Sequence, residues 1–558
     1  MTDETMIDRS EEEAAGGANQ MQPNLTVTNS TDDIRRQVQE RVVREAAQAA
    51  AATGAGSTPA GNGKPEITSK FIRDCLGANE LGDAMMYAHL FRDKFVFCKN
   101  SEEWYEWNGV HWQRDVMGRS LVGVEEVVAH YLAEYSRVSA EIKEMLAAGA
   151  TDTSIISQKQ NLQDALLRRA SQLRGDRRRN NCLKFVHTIE RPLAITGDEF
   201  DAKPMLFPVA NGVIDLETGK LLEGRPSDYL TKASPVMWQG IDTPCPLWEK
   251  TLLEIFGNFD NNEEIVSYLR RLFGYSITGL IIEKVFPVLY GKTGWNGRSL
   301  IMETIRKVMG DFCGSIPAEM LLSQRFGASA TGPRPDIMGL KGIRLAFASE
   351  IDEEQRFSTG RIKNLTGKDQ LVGRNPHDVH LTRFYPTHKL FLMTNTKPDA
   401  SAKDKAFWYR MHLIPFEISF VNRDPVESFE RRAIMDLDKQ IEATELPGIL
   451  AWLVRGCLEW QQDGLNPPAN IKEATEKYRR GQDLIADFLE ECTENEEMAS
   501  EGSSQLFARF TAWYIENIGK KVPSGTWFGK QMGERYNRVR INGRSVYQGI
   551  LLKPTEEE

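Results

Sequence analysis

Three glycines within seven residues, preceded by an apolar run and followed by an amphipathic one, constrain this chain more than any other feature: residues 285–310 read VFPVLYGKTGWNGRSLIMETIRKVMG. Strand, glycine-rich loop, then helix is the order a phosphate-binding loop requires. Glycines let backbone N–H groups turn inward around phosphates, and a helix beginning near Ser299 adds the positive end of its dipole. The candidate nucleotide ligands are Gly291, Gly294, Asn296, Gly297, Arg298, Ser299 and Leu300, with Ser299 also expected to bind Mg2+ beside ATP. The usual pattern has lysine after the last glycine, whereas this chain has Arg298 there and one extra residue between Gly291 and Asn296. Arginine spreads its charge over a wider planar fork than a compact ammonium, so binding is expected to survive while hydrolysis slows. Taken alone, the loop is equally open to reading as a structural glycine turn.

Its neighbours narrow that choice. From about residue 245 to 425 short apolar runs alternate with helical ones, as in KVFPVLY, IRLAFASEID and HKLFLMTN, the pattern of an α/β nucleotide-binding core. RLAFASEIDE is an apolar strand ending in carboxylates, where a Mg2+-linked acid or a water-activating base sits in such enzymes; Glu350 is the first candidate and Asp352 the second. A lone strand followed by acids is usually only a strand end, but the distance after the loop suits one core. A third strand ends at Asn395, whose amide could orient the attacking water or sense the terminal phosphate.

At 558 residues the chain is too long for one hydrophobic core. Residues 1–66 are acidic and then small-residue-rich and are expected to be a disordered tail, while the hairpin signals Asn108-Gly109 and Asn211-Gly212 bracket a helical region at about 120–190. Within it Arg168, Arg169, Arg174, Arg177, Arg178 and Arg179 could line a DNA entrance or simply form a solvated helix end. Residues 426–480 read as helical, and 481–558 as helices followed by a hairpin at Asn542-Gly543. From Trp527 to Lys553 six basic residues face one acid in a chain whose net charge is −10, so DNA contact is expected to be local. Phe507, Phe510, Trp513 and Tyr514 read as the core of that tail. Seven cysteines without a C-x-x-C pair suggest neither disulfides nor a zinc cluster, and no stretch has the roughly 18 apolar residues of a membrane span. The acidic start lacks the order of a secretory signal, so the cytoplasm, that of the host for a phage-encoded chain, is the expected location.

These residues resemble the superfamily 3 helicases, in particular the helicase part of phage and plasmid primases and the poxvirus helicase-primase. The loop resembles the family's G-x-x-G-x-N-G-K-[ST/D] form through Gly291, Gly294, Asn296 and Gly297, with Arg298 for lysine; the acidic strand matches at Glu350. RIKNLTGKDQLVGR looks like the K-x-L-T-G-x-D-x-x-x-x-R element through Lys363, Thr366, Gly367, Asp369 and Arg374. FYPTHKLFLMTN resembles the strand carrying the sensor asparagine, Asn395, and DKAFWYRMHLIPF the segment whose arginine, Arg410, reaches a neighbouring subunit; Lys389 could reach that nucleotide too.

The resemblance implies a multidomain α/β chain. It would have an N-terminal α+β collar-type domain at 67–240, an AAA+-like P-loop ATPase core at 241–425, a helical segment at 426–480 and a winged-helix-like DNA-binding domain at 481–558. It also implies a homo-hexameric ring on single-stranded or forked DNA, with catalytic Glu350, Asp352, Asn395 and Arg410 and with Mg2+ held by Ser299 and Glu350. Lys363, Arg374, His377 and Arg383 would grip a strand in the channel, the last three around an Asn375–Asp378 turn, and Arg538, Arg540 and Arg544 would add a second contact. The expected activity is ATP-driven helicase action in phage or mobile-element replication. The alternatives are a nucleotide-holding scaffold or loader ring with little turnover and a bifunctional primase-helicase. No D-x-D on an upstream strand supports priming, which points to a separate primase or polymerase partner.

Overall fold

A computed structural model describes residues 67–149, 151–323, 332–349, 355–376, 380–520, 522–541 and 543–554. The expected tail at 1–66, the candidate site residues Glu350, Asp352 and His377, and the turn residue Asn542 lie outside them.

The N-terminal part begins with helices α1 (Ser69–Gly77) and α2 (Asn79–Phe91), strands β1 (Phe95–Cys98), β2 (Glu103–Trp107) and β3 (Trp112–Arg114), and helices α3 (Val124–Ala147), α4 (Thr153–Leu173) and α5 (Asp176–Val186). Strand β4 (Ala194–Ile195) returns parallel to β1, giving the order β3-β2-β1-β4. The Asn108-Gly109 turn forms as expected: Asn108 Oδ1 accepts from Val110 N and His111 N, and Gly109 takes a φ of +103°, which favours glycine. The arginine run serves mainly this helical core. Buried Asp83 accepts from Arg169 at 2.8 Å, from Arg178 at 2.8 Å and from Tyr131 Oη at 2.9 Å. Arg174 pairs with Glu125 and Arg179 donates to Leu121 O, which leaves Arg168 and Arg177 as the exposed members without such a role.

A three-stranded sheet follows, β5 (Leu206–Val209), β6 (Gly212–Asp215) and β7 (Lys220–Leu222), with the second hairpin at Asn211-Gly212. Helices α6 (Pro246–Ile255) and α7 (Asn262–Ser276) then lead into the central sheet. Its strands are β8 (Phe286–Tyr290), β9 (Cys313–Ser315), β10 (Leu345–Ser349), β13 (Lys389–Thr394) and β14 (Met411–Pro415), all parallel, in the order β14-β8-β13-β10-β9. Helix α8 (Arg298–Met309) joins β8 to β9, α9 (Thr359–Leu365) follows β10, and the hairpin β11 (Leu371–Gly373) with β12 (Thr382–Phe384) precedes β13. Both faces of the sheet are covered, which is why its strands read as continuous apolar runs rather than alternating ones. Leu289, Phe347, Phe391 and Ile414 face one core with Ile301, Met302 and Ile305 of α8. Phe286, Val288, Ala346, Leu390, Leu392 and Leu413 face the other with Ile362 and Leu365 of α9.

Strands β15 (Ser419–Val421) and β16 (Glu430–Arg432) lead to α10 (Leu437–Thr444), α11 (Leu446–Asp463) and α12 (Ala469–Arg480), with Pro467-Pro468 between the last two helices. Helix α11 crosses α7 at two glycines. A Cβ on Gly274 would lie 2.2 Å from Cys457 N, and one on Gly456 would lie 2.0 Å from Arg270 O, so the backbones touch where no side chain fits.

The tail comprises α13 (Leu484–Cys492), β17 (Thr493–Glu494), β18 (Ser500–Gly502), α14 (Ser503–Asn517), α15 (Gly525–Gly533), β19 (Arg538–Ile541), β20 (Arg544–Gln548) and β21 (Leu551–Leu552). Its three-stranded sheet runs β18-β20-β19, and Phe510, Trp513 and Phe528 fill its core with Phe507 and Tyr514 partly buried around them, as expected for those aromatics. All seven cysteines are free thiols, six of them buried and Cys313 partly so. No described helix is long and apolar enough to cross a membrane.

Candidate nucleotide site

The loop 291–297 lies at the carboxyl ends of the parallel strands, beside the place where the chain, having left β8 for the far edge, returns through β13 and then crosses to β14. Crevices at such reversals are where open α/β sheets bind ligands. Tyr290, the last residue of β8, pairs with Thr394 on one side and with Pro415 on the other. Gly291 N donates to Thr394 O at 3.2 Å, Phe420 N to Trp295 O at 2.7 Å and Ser419 Oγ to Gly294 O at 3.0 Å, so the end of β13 and the later strand at Ser419–Val421 hold the loop. Asn296 bridges it internally, its amide donating to Thr293 O at 2.7 Å. Gly291 has that amide 2.0 Å from where a Cβ would stand, and Gly297, with φ +87°, would put one 2.5 Å from Ile255 Cδ1. Two of the glycines are thus required by space and by backbone angle.

Gly297 caps α8 and supplies no side-chain acceptor, and the first turn carries no acid. Arg298 N donates to Asn296 Oδ1 at 3.5 Å, and the positive end of the helix dipole favours an anion there. Ser299 is exposed at this end, whereas Leu300 is turned partly into the apolar core beneath and contributes packing. Trp295 stands out from the loop, 79% exposed and in a left-handed conformation with φ +58°.

Arg298 is buried. Its Nε donates to Asn296 Oδ1 at 3.0 Å, and its other nitrogens donate to Thr394 O and to Asn395 Oδ1. Burial holds its pKa below the ordinary arginine value, with the Tyr290 hydroxyl opposing. The structure therefore brings together Gly291, Asn296, Arg298 and Asn395 from the expected set, but the guanidinium is engaged by oxygens of its own chain. Ser349 ends the described part of β10, paired with Met393 one residue short of Thr394. Among the described residues no group of three or more His, Cys, Asp or Glu side chains converges as a metal site.

Arg410 belongs to the other end of the sheet. Met411 pairs with Phe286, and Phe286 N donates to Arg410 O at 2.6 Å, so Arg410 is level with Val285 while Gly291 lies six residues further along β8 (285 to 291). At about 3.3 Å per residue the separation is about 20 Å, beyond any side chain's reach. Its guanidinium donates to Ala406 O, while its Nε is buried without a partner among the described residues. Burial lowers its pKa, with Asp404 opposing.

Lys363 does not stand free for a nucleic acid. Its Nζ donates to both carboxylate oxygens of Asp404, at 2.8 and 3.1 Å, and Asp404 in turn caps the Lys405–Trp408 turn through Phe407 N. Burial favours the neutral acid, but hydrogen bonds from Lys363, Thr359 and Phe407 N and the Lys363 charge outweigh it and hold Asp404 below the usual carboxylate range. Lys389 is also committed: it starts β13, is 3% exposed, donates to Thr278 O and lies 4.5 Å from the Tyr275 ring centre. An ammonium buried at the base of its own sheet does not extend to a neighbour's nucleotide.

The hairpin expected after Asp369 is present, with Val372 opposite Arg383; Arg383 is exposed and Arg374 half-buried. In the tail, Arg538, Arg540 and Arg544 are exposed on the β19–β20 hairpin, Arg538 donating to Ser545 Oγ at 2.5 Å. Sequence reasoning passed over Lys397, whose Nζ lies 4.6 Å from the centre of the Tyr290 ring at the start of the loop. Its position two residues after Asn395 was the available signal.

Residues 84–257 match the family described as D5 N terminal like. Among curated proteins, "Putative helicase L207/L206" of Acanthamoeba polyphaga mimivirus is 24% identical over 447 residues, covering 77% of this chain and 45% of its own length. "Putative helicase 022R" of Frog virus 3 (isolate Goorha) is 24% identical over 395 residues, covering 59% of this chain and 40% of its own. The chain thus spans less than half the length of these two relatives. Among solved structures, the apo structure of the NrS-1 C terminal region aligns at 12% identity with a TM-score of 0.37, over 65% of this chain and 87% of that one. With a D5 N terminal like segment ahead of its parallel sheet and viral helicase-named proteins as relatives, the chain is related to the superfamily 3 helicase-primases.

Proposed function

We propose that this chain is the motor part of an ATP-dependent DNA helicase in the replication of a phage, virus or other mobile element, working on single-stranded or forked DNA as a ring of identical subunits. The observation that carries the reading is the placement of Gly291 and Asn395 at one end of the sheet's strands and of Arg410 about 20 Å away at the other end. An arginine that cannot serve its own loop fits a site completed by the next subunit, where it would stabilise charge on the transferred phosphate. The strand order, in which the loop strand lies between the fourth and fifth strands of the core, supports an AAA+-like ATPase.

The loop fits a nucleoside triphosphate: a Cβ at Gly294 would meet nothing within 4 Å, so the backbone is open there, and the start of α8, with no acid in its first turn, favours an anion. Ser299, exposed at that end, and Glu350, which follows β10 in sequence, would hold the metal. Mg2+ would neutralise phosphate charge and polarise the reacting phosphoryl group. Asn395 would orient the attacking water, with Glu350 or Asp352 accepting its proton. The β11–β12 hairpin, with Arg374, His377 and Arg383, is the proposed channel contact. The order α13, β18, α14, α15, β19, β20 supports a winged-helix reading of the tail, its hairpin carrying Arg538, Arg540 and Arg544.

The bond between Arg298 and Asn395 favours a second reading, a nucleotide-holding ring with little turnover, because it occupies the residue expected to align water. ATP hydrolysis measured with and without single-stranded DNA separates the two. DNA-stimulated turnover lost in Glu350→Gln supports the motor; tight ATP binding without turnover in the native chain supports the scaffold and sinks the motor.

A further inference from the structure

We propose that Lys397 supplies the compact ammonium that the loop sequence lacks, binding the terminal phosphate of a nucleoside triphosphate in the place conventionally taken by a lysine at position 298. The inference rests on the nucleotide-site reading given above and assigns a ligand that the loop motif does not contain. Arg298 cannot easily play that part, since three oxygens of its own chain, from Asn296, Thr394 and Asn395, already accept from its guanidinium. Each is a charge-assisted bond that phosphate binding would have to replace.

Lys397 comes from the same strand end as Asn395, two residues further on. Its Nζ lies 4.6 Å from the centre of the Tyr290 ring and 5.5 Å from that of Tyr478. Tyr290 is the last residue of β8 and is bonded in sequence to Gly291, so the ammonium lies over the side chain next to the loop's first glycine. No carboxylate forms an ion pair with Lys397 among the described residues, and no hydrogen bond holds its Nζ there. Lys397 is exposed, and the aromatic faces attract its ammonium without taking up its three N–H donors.

A second cation sits close by. Burial and Lys477 lower the Lys397 pKa, with Glu417 acting in the opposite direction. Arg298 is near enough to Tyr290 for the two groups to influence each other's ionisation. Lys397 over Tyr290, Lys477 close enough to lower the Lys397 pKa, and Arg298 acting on the same tyrosine make a concentration of positive charge that an incoming polyphosphate would relieve. A point charge with freely turning donors suits a terminal phosphate whose oxygens move during transfer, whereas a planar fork suits the fixed carbonyl and amide oxygens that Arg298 already holds.

Equilibrium binding of MgATP, MgADP and AMP to the full chain tests this, with Lys397→Gln, Lys397→Arg and Lys477→Gln compared by calorimetry and their unfolding midpoints checked. Lys397→Gln should lower ATP affinity about tenfold while ADP affinity changes little and AMP none, so that the ATP-to-ADP preference falls by about the same factor. Lys397→Arg should restore most of it, and Lys477→Gln should cost less than Lys397→Gln. An unchanged ATP-to-ADP ratio in a folded Lys397→Gln protein overturns the assignment and leaves the nucleotide site standing. A native chain that binds neither ATP nor ADP removes both.

Discussion

The guanidinium of Arg298 donates to the side-chain oxygen of Asn395, joining the first residue of α8 to the residue that follows β13. Arg298→Lys removes the fork that reaches Asn395 and Thr394 O together. On the proposed reading Asn395 becomes free to align water and an ammonium faces the phosphates, so the steady-state ATPase rate should rise about tenfold, a change of about 1.4 kcal/mol in barrier. A slower variant would show that the native loop is adapted to arginine.

Lys363 and Asp404 connect α9 to the turn that delivers Arg410. Lys363→Met should therefore lower DNA-stimulated hydrolysis several-fold, through Arg410, while leaving the affinity for single-stranded DNA and its salt dependence as they were. A phosphate ligand would behave differently: its loss should reduce the slope of log affinity against log salt by about 0.7 for single strands. Measuring both quantities on one variant decides which role the ammonium has.

The tail hairpin makes the opposite prediction. Arg540→Ala and Arg544→Ala remove exposed charges that have no carboxylate partner among the described residues, so folding stability should change by less than about 0.5 kcal/mol. Each should weaken DNA binding and flatten its salt dependence, as followed by fluorescence anisotropy from 50 to about 200 mM salt. Unchanged slopes in the double variant would remove the hairpin from the DNA-binding surface.

Acid should destabilise the chain before it affects most carboxylates. Burial pushes the His412 pKa down to about 4, helped by Lys472, and pushes His388 down to about 4, helped by Lys389. The unfolded chain binds these protons near pH 6.5 and the folded chain only near 4, so the unfolded state holds more protons between those values. Stability from this source is complete above pH 6.5 and falls as pH drops towards 4, by about 2 kcal/mol per histidine at pH 5. Urea midpoints at pH 7 and 5 check it, and His412→Gln, which keeps a partner for Tyr268 Oη, should reduce the difference. Equal midpoints would contradict the assignment.

At the α7–α11 crossing, Gly274→Ala places a methyl group into the Cys457 backbone. The helices must separate, at a cost of roughly 3 kcal/mol or more. Denaturant unfolding of this variant beside Gly77→Ala, where a Cβ meets nothing within 4 Å, isolates the steric part.

Much of the central sheet was legible in the sequence because its strands are covered on both faces, and long apolar runs next to glycine loops are hard to mistake. KVFPVLY, LAFAS and HKLFLMT became β8, β10 and β13, and the hairpins at Asn108-Gly109 and Asn211-Gly212 formed. What could not be read was how side chains are used at a distance. The arginine run at 168–179 looked like a charged surface, but Asp83, more than eighty residues earlier, takes two of its members inward. Lys363 and Lys389 carried the right charge for a ligand, yet Asp404 and the end of α7 claim them, and neither partner is near in sequence. Lys397 was missed for the converse reason: nothing in its local sequence indicates that Tyr290 lies beneath it.

The position of Arg410 has a consequence for how this chain should be assayed. With the loop at one end of β8 and the arginine level with the other, a single copy would, on the proposed reading, carry two unlike half-sites and no complete one. Specific activity should then depend on protein concentration, falling on dilution as neighbours part. An Arg410→Ala copy mixed with a Glu350→Gln copy should regain hydrolysis that neither has alone, because each supplies what the other lacks at their shared boundary.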